Sequence, residues 1–207
     1  MTRGSAHTFD PTILREYDIR GIIDKTLSAD DAYAIGRALG TGIARNGGKT
    51  VCVGYDGRLS SPDMEQAVVD GLKDCGLEAI RVGLGPTPML YFAVNILDAA
   101  GGIMVSGSHN PPDYNGFKMM SGPKPFYGDD IQGLGTIAAA ADYASGTGSD
   151  RVEPMLDRYV DRVLQDYKSG RELKVAWDAG NGSAGEAMVK VCAELPGQHI
   201  LLNERID

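Results

Sequence analysis

Gly101-Gly102-Ile103-Met104-Val105-Ser106-Gly107-Ser108-His109-Asn110-Pro111-Pro112-Asp113-Tyr114-Asn115-Gly116-Phe117-Lys118 decides how the chain is read. Ile103 to Val105 is a short continuous apolar run, the pattern of a strand buried on both faces. Small and polar residues follow, and the consecutive prolines Pro111 and Pro112 can neither continue that strand nor start a helix. Ser108 is therefore expected on a loop just past a strand end, where open α/β sheets present their chemistry. Gly107 allows close backbone approach to a ligand, and the prolines stiffen the exit. Asn115-Gly116 reads as a tight turn, after which Phe117 to Met120 returns as a strand and carries Lys118 back toward Ser108.

A hydrolytic serine needs a base, an orienting acid and, on α/β sheets, a G-x-S-x-G elbow. Gly107-Ser108-His109 does not make that elbow. Adjacent side chains diverge in an extended segment, which would hold His109 away from Ser108. A serine that carries a phosphoryl group fits better. Phosphate brings about −1.5 to −2 charges and three acceptor oxygens, and the loop offers free amides, His109, Asn110 and Lys118 as donors. The ordinary alternative, a turn whose Ser and Asn only cap backbone groups, is disfavoured by the length and constraint of the loop.

Gly107 to Lys118 resembles the phosphoserine loop of the α-D-phosphohexomutases, in wording most like the bacterial phosphomannomutase/phosphoglucomutase branch; Ser106 stands where that family more often has threonine. The resemblance implies interconversion of hexose 1-phosphate and hexose 6-phosphate, mannose or glucose, through phosphorylated Ser108 and a hexose 1,6-bisphosphate. It implies Mg²⁺ bound through a phosphoryl oxygen on Ser108. Lys118 would transfer a proton or orient the sugar hydroxyl, His109 would hydrogen-bond substrate or phosphoryl group, and Arg20 would steady the charge. Tyr17 and Asn110 would contact substrate.

Around this loop the chain alternates strands and helices. Ile13 to Ile22 alternates well enough for a strand ending at Gly21, with Leu14 and Ile19 inward. Arg15 and Arg20 would ordinarily be solvated, but Arg15-Glu16-Tyr17-Asp18-Ile19-Arg20-Gly21 resembles the family's N-terminal segment, which places Tyr17 and Arg20 at the cleft. Ser28-x-x-Asp31 signals a helix start, with Gly47-Gly48 as its stop, and Asp30-Asp31 fits a first-turn acidic pair better than a metal site. Thr50 to Tyr55 reads as a buried strand, Ser61-Pro62 as a helix start, Glu78 to Val82 as a strand, and Gly83 to Pro88 as a loop opening a helix through Leu97. Gly54-Tyr55-Asp56-Gly57-Arg58 and Gly85-Pro86-Thr87-Pro88 resemble family motifs and read as scaffolding, with Arg58 a candidate to help place the loop. Ser121 to Tyr127 reads as a turn-rich connection, and Asp129-Asp130 starts a helix running to about Tyr143.

The fold class expected is α/β: a layered helix-sheet-helix domain with a mixed, mostly parallel sheet, plus the start of a second similar domain. Small polar residues 144–150 set the boundary. Residues 1–150 would be the domain carrying the phosphoserine loop, and residues 151–207 a linker helix over Met155 to Tyr167 and the truncated start of a second domain. Leu173 to Asp178 is a strand there, and Gly180-Asn181-Gly182-Ser183-Ala184-Gly185 spells G-x-G-x-x-G with Glu204 beyond it. NAD binding is the rival that this motif raises. The resemblance implies instead that these glycines serve helix-strand packing.

The family's enzymes are longer, and their Asp-Gly-Asp-x-Asp-Arg metal loop does not occur here. The chain thus reads as an N-terminal portion, inactive alone and lacking C-terminal domains. A non-catalytic sugar-phosphate-binding or regulatory fragment is the other alternative. Composition bounds the rest. With 207 residues, a net charge of −8, 43% hydrophobic and 23% charged residues, the chain is an ordinary globular sequence with no basic patch for nucleic acid. No apolar run suits a membrane span or a secretory signal. Three cysteines in apolar contexts fit reduced thiols and a cytoplasmic setting.

Overall fold

Ser28 sets the first long helix by a reciprocal cap: its backbone N–H donates to Asp31 Oδ2 at 2.7 Å, and the Asp31 N–H donates back to Ser28 Oγ at 3.3 Å. Such a cap contributes about 1 kcal/mol. The helix α1 (Ala29–Arg45) ends at Asn46 and at Gly47, whose φ of 80° suits a residue without Cβ. In this computed structural model, which describes residues 4–168 and 170–207, α1 follows β1 (Ile19–Ile22) and precedes β2 (Thr50–Tyr55), α2 (Ser61–Lys73), β3 (Glu78–Leu84), α3 (Thr87–Ile96) and β4 (Gly101–Val105). Then come β5 (Tyr114–Ser121), β6 (Lys124–Phe126), α4 (Asp129–Ala139), β7 (Ser149–Val152), α5 (Leu156–Gln165), β8 (Leu173–Asp178), α6 (Gly185–Glu194) and β9 (Gly197–Leu202).

The main sheet runs β1-β5-β4-β2-β3-β7, with β6 paired to β5. β4, β2, β3 and β7 are parallel; β5 runs antiparallel to β4, β1 and β6. Strand alternation builds two cores. Val51, Val53, Ile103, Val105, Phe117 and Met119 bury against α1, α2 and α4. Cys52, Ile80, Val82, Met104 and Met120 face α3 with Met155. The expected helix-sheet-helix layering and mixed sheet are what the chain adopts. Crossovers on both sides of β2 leave the loops after β2 and β4 side by side at the strand C-terminal ends, the crevice of such sheets.

Four local expectations are corrected. Ile13 to Gly21 is not one strand: the Arg20 N–H donates to Ile13 O and the Arg15 N–H to Asp18 O, so the segment doubles back. Folding back lets Ile13 and Ile19 both reach full burial, whereas Leu14 stays half-buried. Asn115-Gly116 is not a turn; both lie inside β5, opposite Gly21 and Arg20. A Cβ at Gly116 would overlap the Ile19 carbonyl, so the glycine admits a neighbouring strand rather than a reversal. Ser121 to Tyr127 contains β6, and α4 stops at Ala139 because Ala141 turns left-handed (φ 51°), which carries the Tyr143 ring to 4.7 Å from the Arg37 guanidinium. Residues 144–150 lead into β7, which pairs with β3 on both sides of position 150.

Asp150 ties β7 to the domain. Lys73 donates to it at 2.6 Å and Arg81 at 2.9 Å, and the Lys73 hydrogen bond, followed by Arg81, holds its carboxyl below the usual range. A depressed folded pKa gives stability that is present above the unfolded value of about 3.9 and lost as pH falls through the folded one. Urea melts between pH 5 and pH 2 are expected to show this loss, and Asp150→Asn is expected to flatten it; an equal slope in the variant would refute the assignment.

Beyond α5, β8 and β9 form a parallel pair joined through α6. Val175, Trp177, His199 and Leu201 are half-buried on one face, and the Trp177 Nε1–H donates to His199 Nδ1 at 3.0 Å. The opposite face, with Ile200 and Leu202, is exposed. Among the described residues no helix is long and apolar enough to cross a membrane. The three cysteines are buried and free, and burial pushes the Cys52 thiol up to about 12.

Candidate active site

The seryl loop leaves β4 at Val105 and is pinned at its base by hydrogen bonds. The Ser106 N–H donates to Gly116 O, the Ser108 N–H to Ser106 Oγ at 3.0 Å, and the Asn110 N–H to Gly107 O at 3.1 Å. From the neighbouring strand end, Asp56 accepts the Gly107 N–H at 3.0 Å and the Ser61 hydroxyl at 2.6 Å. Asn115, fully buried in β5, donates to Ser60 Oγ and Ser61 Oγ and accepts the Gly116 N–H. That network gives the buried amide its reason.

Ser108 projects from this frame and is exposed, with φ 54° in the left-handed region. A non-glycine residue there costs about 1–2 kcal/mol, so the surroundings hold it. The same backbone turn corrects an expectation. The segment is not extended at Ser108, its side chain does not diverge from the next one, and Oγ lies 3.3 Å from His109 Nδ1.

Sheet register places the cations. Arg20 lies opposite Gly116 and Lys118 opposite Met104, so Arg20 and Lys118 share one sheet face. Arg20 is 5% exposed rather than solvated. Its Nη1 donates to Gly107 O at 2.7 Å and to Asn110 Oδ1, and its Nη2 to Asp18 Oδ2 at 2.6 Å. Lys118 Nζ donates to that same Asp18 oxygen at 3.3 Å. Two cations thus share one carboxylate beside the seryl loop, a surplus of positive charge that suits an anionic group. Asn110 uses its side-chain carbonyl on Arg20. Tyr17 is 73% exposed, its ring 6.4 Å from that of Tyr127, away from these contacts.

Asp18, Asp56 and Asn115 are the members that the sequence reading did not single out. Asp18 stands two positions before Arg20, and Asp56 ends a buried strand; both positions were available as signals. Among the described residues no three or more His, Cys, Asp or Glu side chains form a metal site. The residues present therefore do not cage a divalent ion, and Ser108 could contribute only a phosphoryl oxygen. The Gly180 to Gly185 turn is used internally: the Asn181 N–H donates to Asn203 O at 2.9 Å, its side-chain amide to Arg205 O at 2.8 Å, and a Cβ at Gly185 would overlap Glu204 O.

An α/β/α layer thus carries a strained, exposed serine loop at its strand ends, flanked by paired cations. Residues 11–144 match the family model described as phosphoglucomutase/phosphomannomutase, alpha/beta/alpha domain I, and the chain belongs to that family of isomerases. It is 43% identical over 185 residues to a phosphomannomutase/phosphoglucomutase of Pseudomonas aeruginosa, covering 89% of this chain and 40% of that protein. It is 43% identical over 175 residues to a phosphoglucomutase of Neisseria gonorrhoeae, covering 84% of this chain and 38% of that one. A crystal structure of a phosphoglucomutase/phosphomannomutase family protein from Burkholderia thailandensis superposes with a TM-score of 0.91 at 42% identity, over 97% of this chain and 45% of that one. The chain thus spans about 40% of the length of these curated relatives, and family membership is consistent with a metal cofactor.

Proposed function

We propose that the protein is a hexose-phosphate mutase that interconverts hexose 1-phosphate and hexose 6-phosphate, of mannose, glucose or both, with Ser108 as its phosphoryl carrier. The activity belongs to a full-length protein of the relatives' size, of which the loop-bearing domain runs past the expected boundary at 150 to the end of β7 at Val152, and the following residues lead into the next. The observation that carries this reading is the Arg20–Asp18–Lys118 cluster, bonded through Arg20 to the carbonyl of Gly107 immediately before a strained, exposed serine.

In the first half-reaction the Oγ–P bond of phosphorylated Ser108 breaks and a P–O bond forms to the free sugar hydroxyl, whose proton leaves to a base or to water while Ser108 Oγ takes one up. The product is a hexose 1,6-bisphosphate. After the sugar reverses, its other phosphoryl group returns to Ser108 Oγ and the monophosphate departs. Phosphoryl transfer asks mainly for alignment and neutralised charge. Arg20 holds the loop and retains donors for a phosphoryl oxygen. Lys118, an ammonium donating to Asp18, orients the incoming hydroxyl. His109 hydrogen-bonds Ser108 Oγ or its phosphoryl group, the side-chain NH2 of Asn110 and Tyr17 approach substrate at the rim, and Mg²⁺ would add charge neutralisation through a phosphoryl oxygen.

Peptide mass mapping of the purified full-length protein is expected to find phosphate on Ser108. Phosphate only at another residue would refute the carrier assignment. The isolated 207-residue chain is expected to show no hexose-phosphate interconversion with Mg²⁺ present.

A further inference from the structure

We infer that Arg58 is a positioning residue that braces the seryl loop for phosphoryl transfer without touching substrate; the inference rests on Ser108 being the phosphoryl carrier. A guanidinium has five N–H donors in a planar fork. In Arg58 all five are used. Nη1 donates to Pro111 O at 2.6 Å and Tyr114 O at 2.9 Å, Nη2 to Asn110 O at 2.6 Å and Ser108 O at 3.1 Å, and Nε to Asp56 Oδ2 at 3.3 Å. Four of these five acceptors are backbone carbonyls of the seryl loop and the first residue of β5. Arg20 contrasts with this, since hydrogen bonds with described residues occupy three of its donors.

The brace works from both sides of the chain. Asp56, which pairs with Arg58, takes the Gly107 N–H, so one carboxylate-guanidinium pair holds the loop by an amide and by four carbonyls. Gly107 leaves the seat open, since a Cβ there would overlap Arg58 Nε and Cζ. The carbonyl of Ser108, the residue held at positive φ, is itself one of the acceptors. Without the fork, the stretch from Ser108 to Tyr114 keeps single tethers, among them Arg20 on Asn110 Oδ1, the Ile23 N–H on Asp113 O and the Tyr114 N–H on Pro111 O, none of which holds the Ser108 carbonyl, and Oγ would lose its aim. Small misplacements of a reacting atom reduce turnover more than ground-state binding.

In the full-length protein, Arg58→Met keeps the aliphatic stem and removes the fork. Its kcat is expected to fall about 10- to 100-fold with KM within about threefold, and amide exchange to rise at residues 107–114 while the central strands stay protected. Arg58→Lys, one point charge with three donors, is expected to recover only part of kcat. Gly107→Ala keeps Arg58 but fills its seat, and is expected to reproduce the kcat loss; it decides the matter if Arg58→Met does not fold. An unchanged kcat, a rise in KM alone, or loss of protection across the whole domain would each overturn the assignment. Ser108→Ala, measured alongside, separates the two readings. If it retains turnover, the carrier reading fails and takes this inference with it; if it is inactive while both brace variants turn over normally, only Arg58 is wrongly assigned.

Discussion

Ser108→Ala in the full-length protein is expected to lower hexose-phosphate interconversion by a thousand-fold or more, on the order of what loss of a covalent nucleophile costs. The substitution removes one exposed oxygen and leaves every hydrogen bond at the base of the loop in place, because those use the Ser108 N–H and carbonyl. Melting temperature should therefore hold, since alanine adopts the left-handed conformation no more readily than serine and an exposed hydroxyl is solvated whether the chain is folded or unfolded. Coupled assays with glucose 1-phosphate and mannose 1-phosphate read the effect. Turnover within tenfold of the parent protein would end the carrier assignment.

The second large effect is expected at Arg20. Arg20→Met removes a buried guanidinium from Gly107 O, Asn110 Oδ1 and Asp18 Oδ2. Leaving such groups unpaired costs about 1–3 kcal/mol of stability. It also shifts the charge balance beside Ser108, since Lys118 alone then faces Asp18. A fall in kcat/KM of about 100-fold, or about 2.7 kcal/mol of transition-state stabilisation, is expected. Arg20→Lys should restore charge but not the fork, and so recover little. If lysine restored full activity, Arg20 would act as a point charge and the loop contacts would be incidental. Asp18→Asn tests the shared partner and should weaken activity less, because both cations remain.

Legibility followed sequence distance. The cap of α1 was readable because Ser28 and Asp31 are three positions apart and decide the start of the helix between themselves. The buried strands β2 and β4 were readable from unbroken apolar runs. Asn115-Gly116 misled because its local preference for a turn is outweighed by partners far along the chain: Ser60, Ser61 and the Ile19 carbonyl. His109 misled in another way, since no composition rule announces that the residue before it turns left-handed. Ile13 to Gly21 looked like a strand because doubling back preserves alternation at each end while moving Ile13 rather than Leu14 inward.

From the order of residues alone came the layered α/β plan and an exposed serine on a stiff loop, because strand, helix and turn preferences act over a few neighbouring positions. The fold itself chose the company that serine keeps. Arg20 meets Gly107 across 87 positions, Asp18 meets Lys118 across 100, and Arg58 meets the loop carbonyls across 50 to 56. Contacts at that range exist only once β1, β5, β4 and β2 pair in register, because closing such long loops gains nothing until the sheet and both of its cores form together.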